Sequence, residues 1–231
     1  MTAALTASGI IAAWETGAGR GPLDRAIAVL WAAAGEADLA ALPLAERDRQ
    51  LLYLRHATFG ATLNSVAKCP DCGSQMEIEL DVQALAESLA APKREVFDVE
   101  GVQIELRPLN SRDLAAAAYL PETDVTAFIR HQLAGEAVEL APQVLKQIDD
   151  LIEEREAAGE LNITLSCADC ETQWTDQLDV GAHIWREIEA AALRLLGEVG
   201  EIAAAFGWAE SEILAMSGVR RSAYLNLARS G

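Results

Sequence analysis

Leu63-Asn-Ser-Val-Ala-Lys-Cys69-Pro-Asp-Cys72-Gly-Ser-Gln-Met-Glu-Ile-Glu-Leu80-Asp-Val82 and Leu161-Asn-Ile-Thr-Leu-Ser-Cys167-Ala-Asp-Cys170-Glu-Thr-Gln-Trp-Thr-Asp-Gln-Leu178-Asp-Val180 are two copies of one unit, 98 positions apart. Nine of the twenty aligned positions are identical: Leu63/Leu161, Asn64/Asn162, Cys69/Cys167, Asp71/Asp169, Cys72/Cys170, Gln75/Gln173, Leu80/Leu178, Asp81/Asp179 and Val82/Val180. Each copy reads as strand, knuckle, strand, then a helix opening at Leu-Asp-Val. Together they hold all four cysteines of the chain. Two Cys-x-x-Cys pairs supply the four sulfurs of a tetrahedral zinc site, each about 2.3 Å from the ion. The spacing therefore predicts a zinc ribbon assembled from two half-ribbons, with Cys69, Cys72, Cys167 and Cys170 as ligands of one structural zinc per chain. A redox-active Cys-x-x-Cys is the competing reading. Redox motifs use a single pair at the start of a helix after a strand, whereas this chain has two pairs.

The rest of the chain is read outward from these knuckles. Half of the 231 residues are hydrophobic and 23% are charged, which fits a globular chain rather than a disordered one. Alanine and leucine dominate and aromatics are few, which favours helix. No apolar run reaches the roughly 18–20 residues of a membrane span, and the start lacks a basic signal-peptide region. A reducing compartment, hence a cytoplasmic setting, suits two Cys-x-x-Cys pairs without a secretory signal.

The formal charge of −18 is unevenly placed. Residues 1–69 carry 6 basic and 6 acidic groups, residues 70–182 carry 7 and 24, and residues 183–231 carry 5 and 6. The excess therefore lies around and between the knuckles. Nucleic-acid binders place positive charge on their binding face, so this region would repel a phosphate backbone. It reads either as a solvated acidic surface or as a dock for a basic protein.

Five segments follow. Residues 1–62 are N-terminal and helical: an apolar helix or loose arm over 3–14, a glycine-rich break at Gly17–Pro22, a helix over Pro22–Ala34, and a helix from Leu44 that Gly60 ends. Arg47, Asp48, Arg49 and Arg55 are expected on the outer face of that helix, as a surface salt-bridge set or a docking face. Residues 63–91 are the first knuckle unit, with Asp81 capping a helix. Residues 92–160 form an acidic insertion. It contains a hairpin turning at Glu100-Gly101, a helix over Arg112–Leu120 capped by Ser111, a short helix ending near Gly135, and a helix opened by Pro142. The apolar stripe of this last helix is Val144, Leu145, Ile148, Leu151 and Ile152, with Asp149, Asp150, Glu153, Glu154 and Glu156 on its other face. Residues 161–182 are the second knuckle unit, where Trp174 is expected to pack over the ribbon. Residues 183–231 are C-terminal and helical. They hold a long helix ended by Gly207 and a last helix capped by Ser217, with Arg220, Arg221 and Arg229 as the only bases near its turn. The fold class is thus α+β and mostly helical, one interwoven globular unit with helices on either side of the ribbon and a hairpin-plus-helices insertion.

Catalytic patterns are weak. His56, His131 and His183 lie on predicted helices without partners at metal spacing, and no nucleophile elbow, phosphate loop or dinucleotide fingerprint occurs. A four-thiolate zinc has no open coordination position. The chain is therefore not expected to be an enzyme.

Several of these motifs together resemble the T4-family baseplate hub assembly chaperones of contractile-tailed phages and related contractile injection systems. The carriers are Leu51-Leu-x-Leu-Arg55 running into Phe59-Gly60, Cys69-Pro-x-Cys72-Gly73 with its strand to Leu80-Asp81, Arg107-Pro108 before Ser111-Arg-Asp-Leu114, and Cys167-x-x-Cys170. Ile184-Trp185-x-Glu187-Ile188-Glu189 and the close from Gly207-Trp208 through Ser217 to Tyr224-Leu225 complete the set. The resemblance implies a non-enzymatic factor that binds baseplate hub or spike proteins and helps the hub assemble, in the producing cell or retained in the particle. A permanent structural baseplate component is the alternative. A nucleic-acid-binding zinc ribbon is the more remote one, and neither nucleic acid nor membrane is an expected partner.

Overall fold

The computed structural model describes residues 3–35, 38–135 and 140–230. The outermost boundaries expected for the first and last segments, and residues 136–139 of the insertion, lie outside the described residues.

Helix α1 (Ala7–Gly17) opens on the Thr6 hydroxyl, which accepts from Gly9 N–H. It ends at Gly17 against Trp185, whose ring atoms would lie 2.4 Å from a Cβ at that position. Helix α2 (Pro22–Ala34) starts at the proline, whose fixed φ suits a first turn. Helix α3 (Leu44–Phe59) ends where Gly60 takes φ 100°. The first hairpin, β1 (Thr62–Lys68) with β2 (Gln75–Asp81), leads into α4 (Val82–Ser88). The insertion holds β3 (Glu95–Val99), β4 (Val102–Leu106), α5 (Ser111–Ala117), α6 (Glu122–Ala134) and α7 (Pro142–Ala157). Glu100 and Gly101 both have positive φ, as a two-residue type I′ hairpin turn requires. The second ribbon hairpin, β5 (Asn162–Ser166) with β6 (Gln173–Gln177), leads into α8 (Val180–Phe206), and α9 (Glu210–Leu214) and α10 (Gly218–Ser230) close the chain. The molecule is mostly helical. Among the described residues the strands form three separate antiparallel pairs.

Three apolar clusters organise these elements. The largest joins α1, α2, α3, α4 and the first half of α8 with Leu63 and Leu161 at the feet of the two ribbon hairpins. The second belongs to the insertion, where Val99, Ile104 and Leu106 pack on Leu133 of α6 and on Val144, Ile148 and Ile152 of α7. The third gathers Val199, Ile202, Ile213 and Leu225 at the far end of α8. Phe206, Trp208 and Tyr224 ring it with centroids 4.7–5.6 Å apart. No helix among the described residues is long and apolar enough to cross a membrane.

Two local expectations are corrected. Asn110, not Ser111, caps α5. Its side chain accepts from Arg112 N–H and Asp113 N–H, and Asp113 returns a bond to Asn110 N–H in a capping box. Arg107 fixes that Asp113 through two 2.7 Å hydrogen bonds. Ser111 is buried inside the helix and takes a hydrogen bond from Arg47. The helix also stops at Ala117 rather than Leu120.

The second correction concerns α3. Arg47 and Arg55 are buried rather than displayed. Arg55 is covered by Glu187 of α8, and Arg47 by Ser111. Leu44 N–H donates to Leu109 O at 3.0 Å, which sews the insertion to the N-terminal helices.

Candidate metal centre

Each half of the site is built by a hairpin that turns tightly around its first cysteine. In the first, Cys69 N–H donates to Ser74 O at 2.8 Å and Gly73 N–H to Cys69 O at 3.0 Å. In the second, Cys167 N–H donates to Thr172 O at 2.9 Å and Glu171 N–H to Cys167 O at 3.0 Å. The strand registers match under the same 98-residue shift: Asn64 faces Glu79 as Asn162 faces Gln177, and Lys68 faces Gln75 as Ser166 faces Gln173. The helix starts match too. Asp81 accepts from Ala84 N–H and Asp179 from Ala182 N–H, both at 2.8 Å. One local sequence thus folds twice in the same way, and the two products face each other.

Their four sulfurs converge. Cys69 Sγ lies 3.6 Å from Cys170 Sγ, and Cys72 Sγ 3.6 Å from Cys167 Sγ. All four lie within 4.8 Å of one another. A disulfide would need about 2.05 Å. Four thiolates around a tetrahedral ion at about 2.3 Å stand roughly 3.8 Å apart, and the observed separation fits that arrangement. Cys69 and Cys167 are buried, Cys170 is half-buried and Cys72 is exposed. The sequence-predicted ligands are therefore brought together, and among the described residues they form the one such cluster of potential ligands.

The thiols differ in proton affinity. Contact with Thr172, whose hydroxyl oxygen lies 3.3 Å from its sulfur, draws Cys170 down to about 7. The Ser74 N–H acts in the same direction on Cys72, but hydrogen bonding shared with Cys170 and Cys167 outweighs it and pushes that thiol up to about 12. A metal ligated by all four must displace the remaining protons, so affinity falls in acid.

The histidines stay apart from the cysteines. His183 is buried on the first turn of α8, with Nδ1 3.4 Å from Arg186 Nη2, and His131 is exposed. Trp174 is half-buried and pairs across from Leu165 in the second hairpin.

Sequence reading did not find the contacts between the knuckles. Ser74 donates its hydroxyl to Asp169, and Thr172 donates to Asp71 at 3.3 Å. The available signal was the appearance of both aspartates among the nine identities. It also missed that Arg55 and Glu187, each within a motif carrying the family resemblance, are partners.

A family model described as T4 bacteriophage base plate protein matches residues 28–179. The matched span runs from within α2 through both knuckles and the whole insertion to the residue that caps α8. No curated protein and no solved structure gives a significant match to the chain.

Proposed function

The chain belongs to the T4 bacteriophage base plate protein family, and from that membership we propose that it is a non-enzymatic, protein-binding factor that promotes assembly of the baseplate hub. The carrying observation is the extent of the match, well over half of the chain and inclusive of every element around the cysteine cluster. In this reading Cys69, Cys72, Cys167 and Cys170 hold one zinc ion as a structural pin. Closed coordination by four thiolates leaves no position for a substrate. The partners are hub or spike subunits, met in the cytoplasm of the producing cell.

The charge map supports protein partners over nucleic acid. Residues 70–182 carry 24 acidic against 7 basic groups. Two of the three arginines near the C-terminal turn are engaged within the chain. Arg221 bonds Glu198 and the Met216 carbonyl, and Arg229 forms two hydrogen bonds to Glu201.

A retained structural role is the second reading, favoured by the wording of the family itself, which names a base plate protein. Deletion of the gene tests the assembly role: sheath and tube proteins should still be made while baseplates remain incomplete, and complete particles would overturn it. Quantifying the protein in purified particles separates the two readings. Presence at fixed stoichiometry establishes the retained component, and absence establishes the transient factor.

A further inference from the structure

We propose that Asp71 and Asp169 are positioning residues for the metal, each tying its own two-cysteine loop to the residue two places beyond the outer cysteine of the opposite knuckle. The proposal rests on the reading of the four cysteines as a metal site.

The contacts form an exchange. Ser74 closes the first knuckle, its carbonyl accepting from Cys69 N–H, and its hydroxyl donates to Asp169 of the other knuckle. Thr172 closes the second, its carbonyl accepting from Cys167 N–H and its hydroxyl oxygen 3.3 Å from Cys170 Sγ, and that hydroxyl donates to Asp71 of the first knuckle. Ser74 and Thr172 occupy equivalent positions in the two copies, as do Asp71 and Asp169. Each aspartate lies between the two cysteines of its own loop. Its carboxylate therefore ties a loop carrying two sulfurs to the residue that closes the loop carrying the other two.

Electrostatics alone would disfavour this choice of side chain. Four thiolates and a divalent ion sum to about −2, and a carboxylate beside that centre is repelled. An aspartate held against this repulsion in both copies has a reason of position. Cys72 and Cys170 are the more exposed sulfurs, where water or a competing chelator arrives first. Groups that orient ligands commonly govern metal affinity by about 10- to 100-fold.

The test uses the full chain loaded with zinc, with Asp71→Ala and Asp169→Ala made singly and together, and Asp71→Asn and Asp169→Asn as variants that keep an acceptor oxygen. Both aspartates are exposed, so the fold should persist, as circular dichroism would show. Zinc transfer to excess chromophoric chelator is followed by absorbance. The expected result is binding about 10- to 100-fold weaker in each Ala variant, with most of it restored in the Asn variants. Ala variants that hold zinc as the parent does, or Asn variants as weak as Ala, overturn the positioning role. A parent protein that takes up no zinc overturns the metal reading itself.

Discussion

Arg55 and Glu187, 132 residues apart, form a bidentate ion pair between α3 and α8, with N–O distances of 3.0 and 2.8 Å. The third arm of the guanidinium donates to Gly60 O at 2.6 Å, where α3 ends. Arg55 is only 4% exposed, so one side chain anchors the helix terminus and the neighbouring helix together.

Arg55→Ala should therefore destabilise strongly, because Glu187 and the Gly60 carbonyl would lose a buried partner. The expected loss is about 3 kcal/mol, or roughly 6–12 °C in melting temperature for a chain of this size. Replacing both partners, Arg55→Met with Glu187→Leu, should recover much of that loss, since paired apolar replacements are often neutral. A single variant melting within a degree of the parent would contradict the anchoring role.

Metal removal should act on the fold as a whole. Zinc binding free energy at such sites is also folding free energy. Chelation, or Cys69→Ser combined with Cys167→Ser, is expected to remove about 5 kcal/mol or more, a fall of roughly 10–20 °C. Calorimetry on parent, chelated and double-variant protein decides it, with coincident melting curves as the contrary result.

The two knuckles differ at one strained position. Glu171 takes φ 60°, and its counterpart Gly73 takes φ 77°. A residue with a Cβ is disfavoured there by about 1 kcal/mol. Glu171→Gly should thus leave stability unchanged or raise it by up to about 1 kcal/mol, while Gly73→Ala should lower it by a similar amount. Denaturant titration of both variants would expose the opposite order.

His183 gives a pH signature. Burial lowers its pKa below the ordinary 6.5. Glu187 opposes that shift, and the Arg186 and Arg55 charges reinforce it. With the folded value depressed, the unfolded chain binds the proton more readily. The stability tied to neutral His183 is complete above 6.5 and is lost as pH falls through 6.5 toward the folded value. Thiolate protonation adds its own acid sensitivity, so the informative quantity is the difference between parent and His183→Gln. The parent should lose ground to the variant between about pH 7.5 and about pH 5. A difference that stays flat over that range would refute the assignment.

The knuckles and most helices were legible because their signals are local. A strand alternates over a few residues, a helix repeats its apolar stripe, and a duplicated motif announces itself by identity. The buried arginines were not legible. Charged side chains are mostly exposed, and nothing near Arg47 or Arg55 in sequence says that α8 and the Leu109–Ser111 turn will cover them. Asn110 and Ser111 are both good caps, and a distant feature, Arg107 gripping Asp113, accompanies the choice. The acidic face of α7 looked like a free patch, yet Asp149 pairs with Arg130, Asp150 with Lys146, and Glu156 accepts from Leu109 N–H. Glu153 and Glu154 remain solvent-facing.

Helix α8 has 27 residues, about 40 Å at 1.5 Å per residue. Its root is set by Asp179, nine residues beyond Cys170, and its tip carries the Phe206–Trp208–Tyr224 cluster. Its first half is seated in the main apolar cluster and its last turns in the one that holds Ile213 and Leu225, so one continuous rod spaces α9 and α10 from the ribbon.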